Sequence, residues 1–592
     1  MAYNSRTEID EAYLWDLTDM FADDAAFEAA LERAQAYPEQ IAAYQGSVSE
    51  SAAKLLAFLQ LDTQIDLEMS KLVNWSQRKS DEDTRDSKYQ AYSSQVMTLL
   101  TQLASAGAWF SSEILELSDA QIEQFYADEP GLELYRRSLD QLFRMREHVL
   151  SHAEEAILAR AGEMASAPEE IFSLLNDADL SFPDAHDAQG NAHPVTHGSY
   201  IPLMMSSDRA LRMSAFKSVY GTYGQFRNTF AATLAAQAKQ LKFYTDVRKY
   251  GSALEYCLDH TEVPTEVYTN LISTVHKNLP AMHRYVKMRK EALGVDELHF
   301  YDLYVPLVED VEMDFTYEQA CELILKALEP MGEDYLALVR KGLTERWIDV
   351  YETPGKRSGG YSAGGYGMHP VILLNFQGKL DDVYTLIHEM GHSIHTYLSS
   401  HNQPPVYSDY VIFVAEVAST CNEALLTRYL LKTETDPKRR AYILNHFLEQ
   451  FRGTMYRQTM FAEFELEVNE MAARGEGITA DALCEKYRQL NELYFGPDIV
   501  VDDEIALEWA RIPHFYYQYY VYQYATGFAA AIALSNRILD EGASAIEDYL
   551  GFLKGGSSKP PIELLRGAGV DMASAQPIDD ALALFDHLLD QF

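Results

Sequence analysis

Residues 385–395 read Thr385-Leu386-Ile387-His388-Glu389-Met390-Gly391-His392-Ser393-Ile394-His395 and contain the pattern H-E-x-x-H. On an α-helix, side chains four positions apart lie on one face, about 6 Å apart. His388 and His392 can therefore direct two imidazoles at one ion, with Glu389 beside that ion. A zinc hydrolase needs these three side chains from one short segment. The alternative is an ordinary amphipathic helix with surface histidines.

A third ligand is expected from the helix that follows. The breaker at residues 401–405 separates the first helix from a second one, which begins near Ser408. Glu416 is the only charge in the apolar run at residues 410–420. A lone buried carboxylate is costly unless it is paired or binds a metal. Because His392 and Glu416 lie at similar distances along the chain from the turn, an antiparallel helix pair would bring them level.

The sequence therefore predicts one zinc ion per chain, held by His388, His392 and Glu416. Such a set leaves one coordination position for water, which distinguishes catalytic zinc sites from structural ones. The alternative is a buried Glu416 paired with Arg428 or with a tyrosine. Glu423, two turns further on the same face, is a candidate hydrogen-bond acceptor for one of the ligand imidazoles.

The composition of the chain limits the classes of partner and compartment. Among 592 residues, 90 are acidic and 48 are basic, which gives a formal net charge of −42. Such a charge disfavours nucleic acid and anionic membranes as partners. The polar N-terminus lacks the pattern of a signal peptide, no apolar run is long enough to span a membrane, and the four cysteines are widely spaced. We expect a cytoplasmic protein with reduced, buried thiols; monomer and homodimer both remain open.

Helical periodicity dominates the chain and predicts a mainly α fold. Two islands interrupt it: a small β-hairpin at residues 181–201 and a glycine-rich stretch at residues 352–378. We expect three regions: an N-terminal helical hairpin region at residues 1–110, a helical lobe ending in the β-hairpin at residues 111–200, and a catalytic metallopeptidase domain containing the H-E-x-x-H helix at residues 201–592.

The second island holds the candidate substrate-binding residues. Its glycine-rich segment, residues 354–367, leads into the apolar run 370–376, which we interpret as a strand at the rim of the zinc site. A strand there can pair with an extended substrate backbone. The segment lacks the phosphate-loop pattern, so a flexible flap is the better interpretation, and an inert surface loop is the alternative. We expect substrate contacts from Gly365, Tyr366, His369 and Leu373.

A tyrosine-rich segment at residues 511–527 supplies candidates for a further catalytic role. It holds six tyrosines within nine residues, and most of these rings are expected to pack in a core. A phenol or imidazole directed at the zinc would polarise the scissile carbonyl and stabilise its oxyanion. The candidates are His514, Tyr517 and Tyr522, and the sequence does not decide between the tyrosines.

With these residues assembled, the chain resembles the oligoendopeptidase F type of the thimet-oligopeptidase-like zinc metallopeptidases. The resemblance rests on HEMGHS at residues 388–393, AEVAST at 415–420, IPHFYY at 512–517 and WDL at 15–17. It implies an almost all-α, two-lobed zincin-type molecule with a small β-sheet beside the active site and zinc on the floor of a deep central channel. It also implies an endopeptidase for short unstructured peptides, with Glu416 as the third ligand and His514 and nearby tyrosines at the oxyanion.

Two other functions remain open on the sequence alone. An exopeptidase on a related scaffold would need a cation that anchors a chain terminus, and Lys356 and Arg357 beside the glycine-rich segment are available. A peptide-binding protein without catalysis is disfavoured by Glu389, because a binder needs no general base there.

Overall fold

The computed structural model describes residues 3–308, 311 and 313–592. This part of the chain forms 26 α-helices and seven short β-strands, so the predicted mainly α fold is confirmed. The chain divides into two compact units, each built from three stretches. Unit 1 comprises Met1–Val149, Met313–Tyr429 and Leu534–Gly569, and unit 2 comprises Leu150–Glu312, Leu430–Ala533 and Val570–Phe592.

The helices are numbered in chain order. They are Asp24–Ala34 (α1), Tyr37–Ala42 (α2), Ala52–Glu82 (α3), Ser87–Gly107 (α4), Phe110–Leu115 (α5), Asp119–Asp128 (α6), Arg136–Arg144 (α7), His152–Ala165 (α8), Ala167–Ser173 (α9), His197–Met204 (α10), Arg209–Gln225 (α11), Arg227–Val247 (α12), Ala253–Asp259 (α13), Thr265–Lys277 (α14), Leu279–Leu293 (α15), Tyr317–Ala327 (α16), Glu333–Thr344 (α17), Leu380–Asn402 (α18), Ile412–Thr433 (α19), Pro437–Gln450 (α20), Arg457–Ala473 (α21), Ala480–Phe495 (α22), Tyr522–Glu541 (α23), Ala543–Leu553 (α24), Pro561–Gly567 (α25) and Gln576–Leu589 (α26).

The strands form three small sheets. They are Ala185–His186 (β1), Ala192–His193 (β2), Leu298–His299 (β3), Ile348–Asp349 (β4), Tyr361–Ala363 (β5), Val371–Leu373 (β6) and Ile499–Val500 (β7). Strands β1 and β2 pair in an antiparallel hairpin, as predicted for residues 181–201, and β3 pairs with β7 in parallel. In the third sheet, β6 lies in the middle, parallel to β4 and antiparallel to β5.

The two units divide the chain differently from the three contiguous regions expected at residues 1–110, 111–200 and 201–592. Both units draw on the region expected to be the catalytic domain, and unit 1 joins part of it to the N-terminal helices. Helical periodicity identifies the apolar face of a helix, but it does not identify which distant element covers that face.

The core of unit 1 anchors the three-stranded sheet on the N-terminal helices. Helix α3 spans 31 residues, and the side chain of Ser51 caps it by accepting from the backbone N–H of Lys54. Trp75 on this helix stacks on Phe27 with ring centroids 4.5 Å apart. Val371 and Leu373 of β6 are fully buried in the same hydrophobic cluster. The sheet is therefore held rigidly by apolar packing.

Helix α18 begins directly after this sheet. Asp382 accepts hydrogen bonds from the backbone N–H groups of Lys379, at 2.8 Å, and of Gln377, at 3.1 Å. A carboxylate there satisfies free backbone donors and complements the positive end of the helix. Helix α18 then packs against α17, α24 and strands β5 and β6. These contacts fix the position of the helix that carries H-E-x-x-H.

The four cysteines are free thiols, as expected from their spacing. Cys421 is buried, whereas Cys257, Cys321 and Cys484 are partly exposed, so the expectation of burial holds for one of the four. In the part of the chain that the structure describes, no helix combines the length and the apolarity that crossing a lipid bilayer requires.

Candidate active site

Gly391 is the point at which the backbones of α18 and α19 meet. A Cβ atom at Gly391 would lie 2.6 Å from the Cα of Ser419 and 2.9 Å from the carbonyl oxygen of Ala418. Real Cβ atoms do not approach other atoms so closely, because van der Waals repulsion is prohibitive. The absence of a side chain at Gly391 therefore allows the two helices to touch, and this contact brings Glu416 on α19 up to the imidazoles on α18.

His388, His392 and Glu416 converge on one point, in the register expected for the two helices. The Nε2 atoms of the histidines lie 3.1 Å apart, and Glu416 Oε2 lies 3.3 Å from that of His388 and 3.5 Å from that of His392. Ligand atoms bound about 2.0–2.1 Å from a tetrahedral zinc are separated by about 3.3–3.4 Å. The spacing and the chemistry of this donor set therefore fit a single zinc ion.

The carboxylates of Glu416 and Glu423 favour a positive charge on the imidazole of His388. Its Nδ1 donates to the carboxylate of Glu423, the acceptor expected from the helical spacing. Burial opposes a positive charge on His388, but hydrogen bonds with Glu416 and Glu423 raise its pKa to about 10. Burial would raise the pKa of Glu416, yet His388 and His392 hold it well below its usual value. The site thus stabilises positive charge between these carboxylates, which is the preference of a cation site.

Glu389 lies beside the three converging side chains and next to the small sheet. It is only 7% exposed, and burial raises the pKa of its carboxyl above the usual value, although His388, His392 and a backbone hydrogen bond from Ser362 oppose the shift. The hydroxyl groups of Ser362 on β5 and Ser393 on α18 lie 2.8 Å apart. A buried carboxylate whose pKa is raised, next to a cation site, is suited to general base catalysis.

The strand expected to pair with substrate is not the one at the edge of the sheet. β6 contains Leu373 and has partners on both sides, β4 and β5, so its backbone groups are already paired and the hypothesis of substrate pairing along β6 is wrong. The side chain of Leu373 is fully buried in the core of unit 1. Strand β5 is the edge strand, and it lies against α18. The sequence showed a strand before the zinc helix but not the order of strands.

A cleft of about 610 Å³ in unit 1 borders α18 beyond His392. Thr396, which follows His392 by one helical turn, and Ser400 line it. The cleft walls contain residues from the glycine-rich segment and from α3. These include Gly364, Gly365, Tyr366, Asp62 and Asp66.

The four residues expected to contact substrate therefore have different positions. Gly365 and Tyr366 line the cleft, and their contact with substrate stays a prediction. The ring of His369 stacks on Trp347, with centroids 5.8 Å apart, and its backbone N–H donates to Asp19 at 2.7 Å. His369 and the buried Leu373 thus hold the segment in place. Asp62 and Asp66 were missed, because nothing in the sequence indicates that α3 forms a wall of this cleft.

The tyrosine-rich segment lies in unit 2, where aromatic rings surround His514. The ring of His514 lies 5.6 Å from that of Tyr517 and 6.2 Å from that of Tyr520. Tyr517 is 47% exposed, whereas Tyr522 is 2% exposed and its ring packs 5.1 Å from Tyr268 in the core of the unit. Burial and the charge of Arg457 lower the pKa of His514. Of the two predicted tyrosines, Tyr517 is the one that accompanies the histidine at an accessible surface.

Comparison with known proteins identifies the family. A model described as "Peptidase family M3" matches residues 202–584, and a model described as "Oligopeptidase F" matches residues 113–182. The chain belongs to peptidase family M3. Members of this family are zinc metallopeptidases, so the resemblance seen in the sequence is confirmed and the protein is a metalloendopeptidase.

Full-length relatives of the M3 chain are similar in sequence and in structure. It is 46% identical to Oligopeptidase PepF of Bacillus subtilis over 99% of this chain and 88% of that protein. It is 41% identical to Group B oligopeptidase PepB of Streptococcus agalactiae, over 99% and 97% of the two chains. The crystal structure of oligoendopeptidase-F from Enterococcus faecium matches with a TM-score of 0.76 and 39% identity, over 96% of this chain and 98% of that chain.

Proposed function

We propose that this M3 peptidase is a zinc-dependent endopeptidase that hydrolyses short unstructured oligopeptides, with one ion per chain. The observation that carries the proposal is the convergence of His388, His392 and Glu416 beside the buried carboxyl of Glu389. The names of the relatives PepF and PepB, both oligopeptidases, support the substrate class. The free thiols suit a reducing compartment, and we assign the protein to the cytoplasm on that basis.

His388, His392 and Glu416 would hold the zinc, which supplies a Lewis acid that polarises the scissile carbonyl and acidifies water. Glu389 takes a proton from the attacking water and delivers it to the leaving amine. Glu423 orients the His388 imidazole through its hydrogen bond to Nδ1.

The outer edge of β5 is the place where we expect the peptide backbone to bind. Strand β5 is the end strand of its sheet, so the outward backbone groups that do not contact Glu389 can pair with an extended chain. Backbone pairing of this kind tolerates many side chains and requires an unfolded substrate. Gly365 and Tyr366, which line the adjoining cleft, would contact the substrate beyond the scissile bond.

His514 and Tyr517 are assigned to stabilisation of the oxyanion. Because its pKa is lowered, His514 is a neutral imidazole at neutral pH and can donate one N–H without carrying charge. Tyr517 adds a phenol that is 47% exposed. Removal of one such donor typically lowers kcat about 10²–10³-fold. Tyr522, which is buried against Tyr268, is assigned to the core.

Variants of α18 test the catalytic assignment. Glu389→Gln is expected to retain zinc but to lose turnover, whereas His392→Ala is expected to lose both. His401→Ala is the matched control, because His401 is an exposed histidine on the same helix whose ring stacks on Tyr397. Zinc content and cleavage of an internally quenched peptide are measured for each variant. Full activity of Glu389→Gln would contradict the assignment.

The exopeptidase alternative finds no support from Lys356. Its ammonium lies 2.7 Å from the Asp349 carboxylate and donates to the carbonyl oxygen of Tyr351 at 2.8 Å. Lys356 is therefore already paired inside the protein and does not anchor a peptide terminus. Arg357, which is 61% exposed, lies 3.3 Å from Asp81. A quenched peptide blocked at both ends separates the two activities, because only an endopeptidase cleaves it.

A further inference from the structure

Unit 2 contains a small cavity whose walls carry more positive charge than negative charge. The cavity has a volume of about 20 Å³. Its polar lining includes Arg452, Arg457, Tyr304 and Glu508, and the remaining wall is largely aromatic and aliphatic. A space of this size holds one particle about as large as a water molecule.

Two of the lining arginines have hydrogen-bond donors left over. Arg452 is 6% exposed. Its Nε and Nη2 donate hydrogen bonds to the Glu449 carboxylate at 2.9 and 2.6 Å. Arg457 Nη2 donates a hydrogen bond to the Glu508 carboxylate at 2.5 Å. The hydrogen bonds of Arg452 and Arg457 to protein acceptors leave Arg452 Nη1 and Arg457 Nε and Nη1 unused, and no hydrogen bond among the described residues involves the Tyr304 hydroxyl. Leaving such donors without an acceptor in a buried place costs free energy.

The carboxylates nearby are already saturated. Glu508 accepts from Arg457, from Arg511 at 3.0 Å and from the Tyr487 hydroxyl at 2.6 Å. Glu449 is shared between Arg452 and Arg289, which donates to it at 2.8 Å. The cavity wall itself therefore carries two guanidinium groups, those of Arg452 and Arg457, and one carboxylate, that of Glu508.

The excess of positive charge also acts on Tyr304. Burial raises the pKa of a phenol, but Arg457, Arg511 and Arg452 together lower the pKa of Tyr304 below its usual value. The Arg452 guanidinium lies over the Tyr304 ring, 5.1 Å from its centroid. A water molecule in the cavity would accept hydrogen bonds but would leave the charge unbalanced, and uncompensated buried charge is costly.

We propose that this cavity is a binding site for one small monovalent inorganic anion of the halide class, held by Arg452, Arg457 and the Tyr304 hydroxyl. The volume excludes sulfate and phosphate. Glu508 belongs to the 3₁₀ helix Ile505–Arg511, and the next one, Pro513–Tyr516, carries His514. The anion would thus stabilise the part of unit 2 from which His514 projects. This site is separate from the zinc ligands, and its test does not depend on the proposed peptidase activity.

Crystals of the wild-type protein grown in sodium bromide test the site directly, because bromide gives an anomalous signal. We expect one peak within contact distance of Arg452 and Arg457. In solution, the Tm in sodium chloride should exceed the Tm in sodium gluconate of equal ionic strength by roughly 2–4 °C, because gluconate is too large for the cavity. A cavity that holds only water, with equal Tm in the two salts, overturns the proposal. A bromide peak without a chloride-dependent Tm indicates binding at crystal concentration only and also overturns it.

Tyr304→Phe removes one donor while keeping the ring. We expect this variant to need at least tenfold more chloride for half of the rise in Tm. Tyr223→Phe is the matched control, since its hydroxyl donates to Asn176 Oδ1 at 2.6 Å and Tyr223 does not line the cavity. The control should lose stability but keep the same chloride dependence. Equal chloride dependence in Tyr304→Phe and the wild type would remove Tyr304 from the site.

Discussion

At the scale of single residues, the site depends on groups that fix the ligands as much as on the ligands themselves. Glu423 is the clearest case, because its carboxylate accepts from Nδ1 of His388 and leaves Nε2 facing His392 and Glu416. The hydrogen bond sets the tautomer and the ring orientation of His388 and increases its basicity. Glu423 is therefore a positioning residue.

Glu423→Ala is expected to weaken zinc binding about 10–100-fold, because His388 loses the acceptor that orients it. Glu423→Gln should recover part of the affinity, since an amide oxygen still accepts the hydrogen bond. Competition with a fluorescent chelator measures the Kd. Glu322→Ala, which changes an exposed glutamate on α16, is the control. Equal zinc affinity in Glu423→Ala and the control would refute the positioning role.

Asp62 gives a pH-dependent prediction at the same scale. Burial and the neighbouring charge of Asp66 raise the pKa of Asp62 from 3.8 to about 6. The folded protein therefore carries a penalty above pH 6, and this penalty is relieved as the pH falls through 6 toward 3.8. Asp62→Asn should stabilise the protein by about 1–2 kcal/mol at pH 7.5 and by almost nothing near pH 4.

Thermal unfolding at the two pH values measures this effect. Asp540→Asn, at an exposed position on α23, should change the Tm little at either pH. If Asp62→Asn raises the Tm equally at pH 4 and pH 7.5, folding does not raise the pKa of Asp62.

At the scale of elements, the contact between α18 and α19 creates the site. The sequence allowed this pair to be predicted, because the spacing of His388 and His392 and the turn before Glu416 are local features of the chain. It did not allow the order of the strands to be predicted, because the second partner of β6, strand β4, lies outside the glycine-rich stretch and no local pattern records their pairing. The same reason explains why Asp62 on α3, a wall of the cleft, could not be foreseen.

Gly391→Ala should separate the two helices. The new Cβ would collide with the backbone of α19 near Ser419, and overpacking of this kind costs about 1–3 kcal/mol. We expect a lower Tm together with a loss of zinc affinity, because Glu416 moves with α19. Gly221→Ala in α11 is the matched control, since no atom lies within 4 Å of its added Cβ. A Gly391→Ala protein that binds zinc like the wild type would contradict this account.

At the scale of the whole molecule, the net charge of −42 affects the encounter with substrate. An acidic surface attracts cationic peptides, and salt screens that attraction over about 10 Å at 0.1 M ionic strength.

The net charge can be read from the sequence, but the division of the chain into units cannot. Unit 1 joins the N-terminal helices to the zinc helices and to α24 and α25, and no local pattern records such long-range packing.

The KM for a lysine-containing quenched peptide should rise several-fold between low and moderate salt. The KM for a neutral peptide of the same length should stay nearly constant, because only charged groups are screened. Steady-state kinetics in sodium chloride and in potassium acetate measure both values, and the second salt separates screening from a specific effect of chloride. Parallel changes for the two peptides would indicate that the surface charge does not guide substrate.

The edge position of β5 has a consequence for inhibitor chemistry. A ligand recognised through its amide groups is blocked by methylation of a single amide nitrogen, whatever side chains it carries. Peptidomimetics for this enzyme should therefore gain selectivity from the wall of the cleft around Tyr366 and Asp62, and they should keep an unmodified main chain where they run alongside Ser362.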